Sequence, residues 1–374
     1  MRNGTEPSLR RSRRLPMSSP LTKGSLLALA TVFSVWVLGR TFLFLRDATL
    51  PQWFLALAAI VWGVGGSMLL FTLLANFVEQ FPPRWRRGLV PLVFVGPAAA
   101  IVVIYLALPA LRTLIQSFYD AKGENFVGLA NYVYAFTSQE MLVSFRNNFL
   151  FWLLFGTGFS VILGLIVAVL ADRTHPVFER IVKAVIFMPM AISMVGASVI
   201  WKFVYEYRPA GVNQIGLLNA VLTALGGEPR AWLLTPFWNN LFLVAIFIWL
   251  QTGFAMVVFS AAIKAVPEEL LEAGRIDGAN EVQVFLHITL PNIRGSVLTV
   301  TTTIILVALK IFDIVQSMTG GNYGTQVIAN VQYTQMFRLF NYGRAAAVAM
   351  VLLAVVLPIM IYNLRDFSKR TEAF

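Results

Sequence analysis

The sequence predicts an all-α membrane protein, a polytopic bundle of about eight transmembrane helices. Three observations lead there. Of the 374 residues, 58% are hydrophobic and only 13% charged, with a mean hydropathy of +0.73. Soluble chains average about 45–50% apolar and about 25% charged residues, so this charge is too sparse to solvate the surfaces of soluble domains. The apolar residues also fall into runs of the roughly 20 residues that span a bilayer as helix. These runs are continuous rather than alternating, which excludes a β-barrel.

Taken in order, residues 1–25 hold Arg2, Arg10, Arg11, Arg13, Arg14 and Lys23 among Ser, Pro and Gly. Such a segment has nothing to bury and is expected to be a disordered basic tail. The run 26–45 exceeds the apolar core of a secretory signal, and no small-residue cleavage site follows it, so it is expected to remain as the first span. The further spans are expected at 52–77, 89–111, 149–171, 181–205, 239–263, 294–315 and 344–364. Most of the 29 Lys and Arg fall in the tail and at 84–87, 173–183, 264–294 and 365–370. The positive-inside rule then puts both termini in the cytoplasm. Segments 112–148, 206–238 and 316–343 become the outward ones. They are either an outer face for a ligand or partner, or plain connections.

Several chemistries are excluded early. There is no cysteine, and His175 and His287 lie far apart, so no metal site is expected. The net charge of +11 is spread between hydrophobic runs. Anionic inner-leaflet lipids account for it better than nucleic acid. A membrane-embedded enzyme would need clustered acids at a membrane face. Glu268, Glu269, Glu272 and Asp277 are the one such cluster. An autonomous channel would show a pore-lining repeat or charged ring, and neither is present in the sequence.

The longest inward loop is 266–292. Pro267 suits the first helical position, and Glu268 and Glu269 complement the positive helix end. Gly278 is a stop that takes the left-handed conformation freely. Asn280 caps a second helix with Gln283 at the capping-box position, and Pro291 marks entry to the next span. This predicts helix, glycine break, helix: a compact knob. Rich in Leu, Ile, Val and Phe, it either packs on its own bundle or offers an apolar docking patch.

Within the spans, polar residues mark a candidate substrate path. Lys310 and Asp313, three apart on one helix, can pair there. They are either path residues or a structural ion pair. Gln251 and Thr252 lie mid-span, where an unpaired amide is unfavourable. A ligand hydroxyl or a neighbouring helix would satisfy them. Thr299, Thr301, Thr302 and Thr303 read first as helix-packing groups. Trp201, Tyr205 and Tyr207 are interface anchors or, less simply, an aromatic platform for a ligand ring.

The knob carries a resemblance. Glu272-Ala273-Gly274, three residues, Gly278, nine residues, then Ile288-Thr289-Leu290-Pro291 is similar to the Glu-Ala-Ala loop of binding-protein-dependent ABC importer permeases. The third position departs from the pattern, Gly274 replacing Ala, which is expected to loosen that turn by about 1 kcal/mol. The resemblance implies that Glu272, Ala273, Gly274, Asp277, Gly278, Ile288, Leu290 and Pro291 couple the spans to a cytoplasmic ATPase. Residues 126–132 (Phe-Val-Gly-Leu-Ala-Asn-Tyr), 249–254 (Trp-Leu-Gln-Thr-Gly-Phe) and 309–315 with Thr319-Gly320-Gly321 are similar to the carbohydrate-uptake branch, of maltose and glycerol-phosphate type. The run Asn322-Tyr323-Gly324-Thr325 departs from that branch's commoner Gly-Pro ending and looks more like α-glucoside permeases.

The resemblance implies a six-helix type I importer core over 88–374, with 26–80 supplying two extra N-terminal spans. It implies a transport subunit, not an enzyme, in the inner membrane of a bacterium or archaeon. Its expected partners are a second permease, an ATPase dimer, an extracytoplasmic sugar-binding protein and the sugar. No phosphate-binding loop G-x-x-x-x-G-K-[ST] occurs in the chain, so ATP and Mg are expected on the separate ATPase.

Overall fold

A computed structural model describes residues 20–371; the sequence up to residue 19, most of the expected basic tail, and residues 372–374 lie outside the described residues. The described chain divides into two compact units, one ending at Ala110 and one beginning at Leu111.

In the first unit, helices α1 (Pro20–Asp47) and α2 (Gln52–Val78) pair through the turn at Pro51. Helix α1 already covers residues 20–25, which were expected to belong to the tail. The Trp62 indole N–H donates to the Leu38 carbonyl at 3.1 Å. Beside it Gly66 packs so closely that a Cβ there would lie 2.6 Å from the Leu38 Cδ2. Helix α3 (Pro83–Gln116) starts after Pro82, continues past Ala110 into the chain of the second unit, and has no buried residue up to Gln116. Its apolar side chains suit lipid tails.

The second unit contains α4 (Ala130–Thr137), α5 (Gln139–Asp172), α6 (Pro176–Ala191), α7 (Met194–Tyr205), α8 (Leu217–Ala224) and α9 (Trp238–Lys264). Helices α10 (Glu268–Ile276), α11 (Glu281–Asn292), α12 (Arg294–Leu309), α13 (Asp313–Met318), α14 (Ile328–Tyr333) and α15 (Tyr342–Thr371) complete it. Its core forms where α5, α9 and α12 meet, with Phe151, Trp152, Phe247, Phe259 and Ile304 fully buried. Small residues allow this approach. Ser160, Gly164, Ala168 and Ala171 are buried along α5, and a Cβ on Gly164 would lie 2.4 Å from the Ala255 Cβ. Without a hydrophobic drive between helices in lipid, close van der Waals packing of this kind holds spans together.

Two expected spans are not single helices. The run 181–205 breaks at Ile192–Ser193, where α6 and α7 meet at 106°. Pro189 sits in the last turn of α6, and Ser193 caps α7 by accepting the Gly196 N–H at 3.1 Å. A cap satisfies a free helix-end donor and so stabilises a new start rather than a continuation. The run 294–315 stops at Leu309, and α13 begins separately at Asp313. Helix α12 is itself bent by 71° from α11. Among the described residues six helices are long and apolar enough to cross a membrane, and up to eight spans result if each of the two bent pairs is one span. The segments 112–148, 206–238 and 316–343 are not plain connections, since they contain α4, α8, α13 and α14.

Candidate functional site

The knob forms as its end signals dictate, with one shift: Pro267 is the cap of α10, one residue ahead of the first helical position. Gly278 adopts φ +85°. Its N–H donates to the Arg275 carbonyl at 3.1 Å, and the Ala279 N–H donates to the Gly274 carbonyl at 3.0 Å. This is the paired closure of a Schellman end. The Asn280–Gln283 capping box is complete, with bonds of 2.9 and 2.8 Å.

The residues expected to couple divide by exposure. Glu272, Ala273, Asp277, Gly278 and Pro291 are exposed, Ile288 and Leu290 half-buried, and Gly274 buried. A Cβ on Gly274 would lie 2.5 Å from the Ile288 Cδ1. The glycine expected to loosen the first turn is therefore where α11 closes onto α10. Around it the knob exposes apolar side chains: Ile276 is 85% and Val282 66% exposed, with Leu270 and Leu286 also open.

Charges tie this knob to the bundle. The Glu281 carboxylate accepts from the Arg275 guanidinium of α10 at 2.9 Å and from Arg173, between α5 and α6, at 3.1 Å. Next to Arg173, Asp172 and Glu179 both pair with Lys183, which also donates to the Ser260 hydroxyl of α9. Lys264 reaches Glu179 as well. One ionic cluster thus joins the ends of α5, α6 and α9 beside the knob.

The expected path residues are not brought together. Tyr205 is 4% exposed, its hydroxyl donates to the Phe242 carbonyl at 2.8 Å, and its ring packs on Trp201. It belongs to the core and is no open platform. The Thr252 hydroxyl donates back to the Ile248 carbonyl of its own helix at 2.7 Å. Gln251 is half-buried. Lys310 lies exposed in the break after α12 and Asp313 starts α13, so they do not share a helix. No ion pair joins them among the described residues. The expected face-sharing pair is thereby corrected.

At the end of the bundle opposite the knob, a group unforeseen in the sequence organises the loops. Asn147 donates to the carbonyls of Gly324 and Gln326, both at 2.8 Å. Asn148 accepts the Ile328 N–H at 2.9 Å, Asn239 donates to the Tyr323 carbonyl at 2.8 Å and Asn240 to that of Gly324 at 3.3 Å. All four asparagines are fully buried. The available signal was the doubled Asn near the start of two apolar runs, at 147–148 and 239–240. The Phe-Val-Gly-Leu-Ala-Asn-Tyr stretch works similarly. Buried Asn131 donates to the carbonyls of Ser117 and Tyr119 at 2.9 and 2.7 Å, and the Tyr132 hydroxyl meets that of Ser117 at 2.7 Å.

Gly253, in the Trp-Leu-Gln-Thr-Gly-Phe stretch, lets α6 cross α9. A Cβ there would lie 2.5 Å from the Ile186 carbonyl oxygen.

Comparison with known proteins bears on the family and the fold. The family model described as "Binding-protein-dependent transport system inner membrane component" matches residues 160–370. The osmoprotective compounds uptake permease protein GgtC of Synechocystis sp. is 55% identical over 279 residues, covering 75% of this chain and 99% of that protein. The alpha-glucoside transport system permease protein AglF of Rhizobium meliloti is 50% identical over 289 residues, covering 77% and 85%. Among solved structures, a bacterial ABC transporter involved in the import of the acidic polysaccharide alginate aligns with a TM-score of 0.64 at 22% identity. The match covers 76% of this chain and 96% of that one, a likeness of fold.

Proposed function

Because the chain belongs to the family of binding-protein-dependent transport system inner membrane components, we propose that it moves a neutral sugar, an oligosaccharide or α-glucoside, by ATP-driven alternating access. It is a multi-pass permease subunit of an ABC importer. The choice of α-glucosides rests on the 50% identity to a permease named for them.

The observation that carries the coupling role is the knob: two capped helices locked by Gly278 and by the Gly274–Ile288 contact, with Ile276 and Val282 left open. A rigid body with an exposed apolar face suits helix-in-groove docking into an ATPase subunit. The ATPases bind and hydrolyse ATP with Mg. Their closure moves the knob, and the Arg173–Glu281 and Lys183 contacts pass the movement to α5, α6 and α9. On this reading the knob and both termini are cytoplasmic, and the asparagine-held loops face outward.

Each half of the translocation path comes from one of two permease chains. In this chain its candidates narrow to Gln251, Lys310 and Asp313, because Tyr205 and Thr252 use their hydroxyls internally. The test is mass spectrometry of what co-purifies with the tagged chain from its native membrane. An ATPase, a second permease and an extracytoplasmic binding protein are expected. Recovery of the chain alone, in a detergent that keeps a control transporter intact, would contradict the proposal.

A further inference from the structure

At the end of α9 remote from the ionic cluster, five side chains close on a concavity of about 260 Å³. Arg230, Trp232 and Thr235 come from the loop before the helix, Trp238 and Phe242 from its first turns. The site is apart from the mid-span path candidate on the same helix. Gln251 lies nine residues beyond Phe242, about two and a half turns away.

The walls are held from behind. Asn219, fully buried, accepts the Arg230 N–H at 2.9 Å and donates to the Arg230 carbonyl at 3.0 Å. The Thr235 carbonyl accepts the Asn239 N–H at 3.0 Å. The Trp232 ring meets Phe242 edge-on, with centroids 5.2 Å apart. Phe242 in turn rests edge-on against buried Tyr205 at 5.4 Å, and its carbonyl accepts the Tyr205 hydroxyl at 2.8 Å. Walls fixed before binding lose little freedom when a ligand enters.

Three aromatic side chains beside two hydrogen-bonding groups suit a small ligand with apolar faces and polar edges. A pyranose ring has that form. Its C–H groups lie well on electron-rich ring faces, and its hydroxyls suit the Arg230 donors and the Thr235 hydroxyl, which both donates and accepts. The Trp232 indole N–H is enclosed without an acceptor among the described residues. A turn of that ring towards a ligand hydroxyl would pair a donor that is unfavourable unpaired. Sites for drug-sized ligands begin at about 300 Å³, so this one admits a single ring and not a whole oligosaccharide.

Two other roles fit less well. Tryptophan at a span end ordinarily anchors the bilayer interface, and Trp238, 58% exposed, could do so alone. That role calls for no concavity shared with Arg230, Trp232 and Thr235. An anionic lipid headgroup calls for an excess of positive charge. The stretch 206–238 holds two Arg and two Glu with no Lys or Asp, and exposed Glu228 stands two positions from Arg230. Such a stretch is neutral overall and suits a neutral ligand.

We propose that this concavity is a sugar subsite, separate from the mid-span path, that takes one neutral pyranose ring of an α-glucoside. Trp232, Trp238 and Phe242 supply the aromatic walls, and Arg230 and Thr235 bind the hydroxyls. The inference rests on the importer reading and adds a site to it.

The test uses the assembled complex in nanodiscs of phosphatidylethanolamine and phosphatidylglycerol, without ATP or binding protein, and maltose as the probe. Saturation-transfer NMR reads which sugar protons touch the protein, and a titration gives the Kd. The expected result is transfer concentrated on the C–H protons of one glucose ring. Trp238→Leu and Arg230→Gln should each raise the Kd about tenfold, and Thr235→Val should raise it too. All three side chains are exposed, so these variants should melt as the wild type does. Gln251→Leu should leave the Kd unchanged. Binding lost in Gln251→Leu but kept in the pocket variants would put the sugar in the path and overturn the inference. So would phosphatidylglycerol that native mass spectrometry finds on the wild type and not on Arg230→Gln, with maltose binding equal in both. A wild-type complex that binds no maltose, yet accumulates it in proteoliposomes with ATP and its binding protein, would overturn the inference alone. One that neither binds nor accumulates maltose would overturn the α-glucoside reading and this inference with it.

Discussion

Single residues decide whether the knob is rigid. Gly278 holds φ +85° between α10 and α11 with nothing within 4 Å of an added Cβ, so backbone conformation alone selects glycine. A β-branched residue there faces a left-handed penalty of about 1–2 kcal/mol. Gly278→Val should abolish sugar-stimulated ATP hydrolysis while leaving membrane abundance unchanged, whereas Gly278→Asn, which tolerates that conformation, should retain much of it. Enzyme-coupled phosphate release with immunoblotting checks both. Asp120 controls the turn at 117–128 in a comparable way. Its carboxylate accepts the Asn125 amide at 2.7 Å and the Glu124 N–H at 2.9 Å, and these bonds hold its pKa down at about 2. A carboxyl depressed below its unfolded value, about 3.9, stabilises the fold above that value and ceases to as pH falls towards 2. Amide exchange over 118–127, corrected for intrinsic rates, should therefore be protected at pH 5 and lose protection at pH 2.

At the level of elements, what joins the spans is buried polar chemistry as much as apolar packing. Removing the Asn147 amide takes its donor from the Gln326 carbonyl and leaves that of Gly324 only the longer bond from Asn240 at 3.3 Å, at about 1–3 kcal/mol per unsatisfied group. Asn147→Ala should lower the thermal midpoint of the complex measurably. Asn125→Ala, at an exposed turn, should change it little. Much of this level was legible beforehand. Long apolar runs identified the spans because a bilayer admits little else, and the knob was legible because glycine and Asn-x-x-Gln report helix ends directly. The breaks were not. Hydropathy is blind to a change of backbone direction inside an apolar run, although Pro189 followed by Ser193 carried the stop and the new cap. The Lys310–Asp313 spacing misled for the same reason: three residues share a face only if the helix continues, and it ends at Leu309. Tyr205 read as a boundary group because sequence does not show that the Phe242 carbonyl waits for its hydroxyl. The asparagine clamp was hidden because its partners lie some 80 to 180 positions along the chain.

For the whole molecule, the family match begins at residue 160 and the two permeases with the names quoted above cover about three quarters of the chain. We propose that the pair α1–α2 is the part that an importer core can spare, serving as scaffold and insertion aid. A chain lacking residues 1–80 should still assemble and transport, with lower membrane abundance but near-normal turnover per assembled complex. The central claim is that this chain, driven through its knob, carries an α-glucoside inward. It is tested most directly in proteoliposomes holding the co-purified complex, with ATP and Mg on the knob side and the binding protein with radiolabelled α-glucoside on the other. The account predicts ATP-dependent sugar accumulation that Gly278→Val abolishes. Sugar entry that is independent of ATP, or unchanged in the Gly278→Val complex, would contradict it.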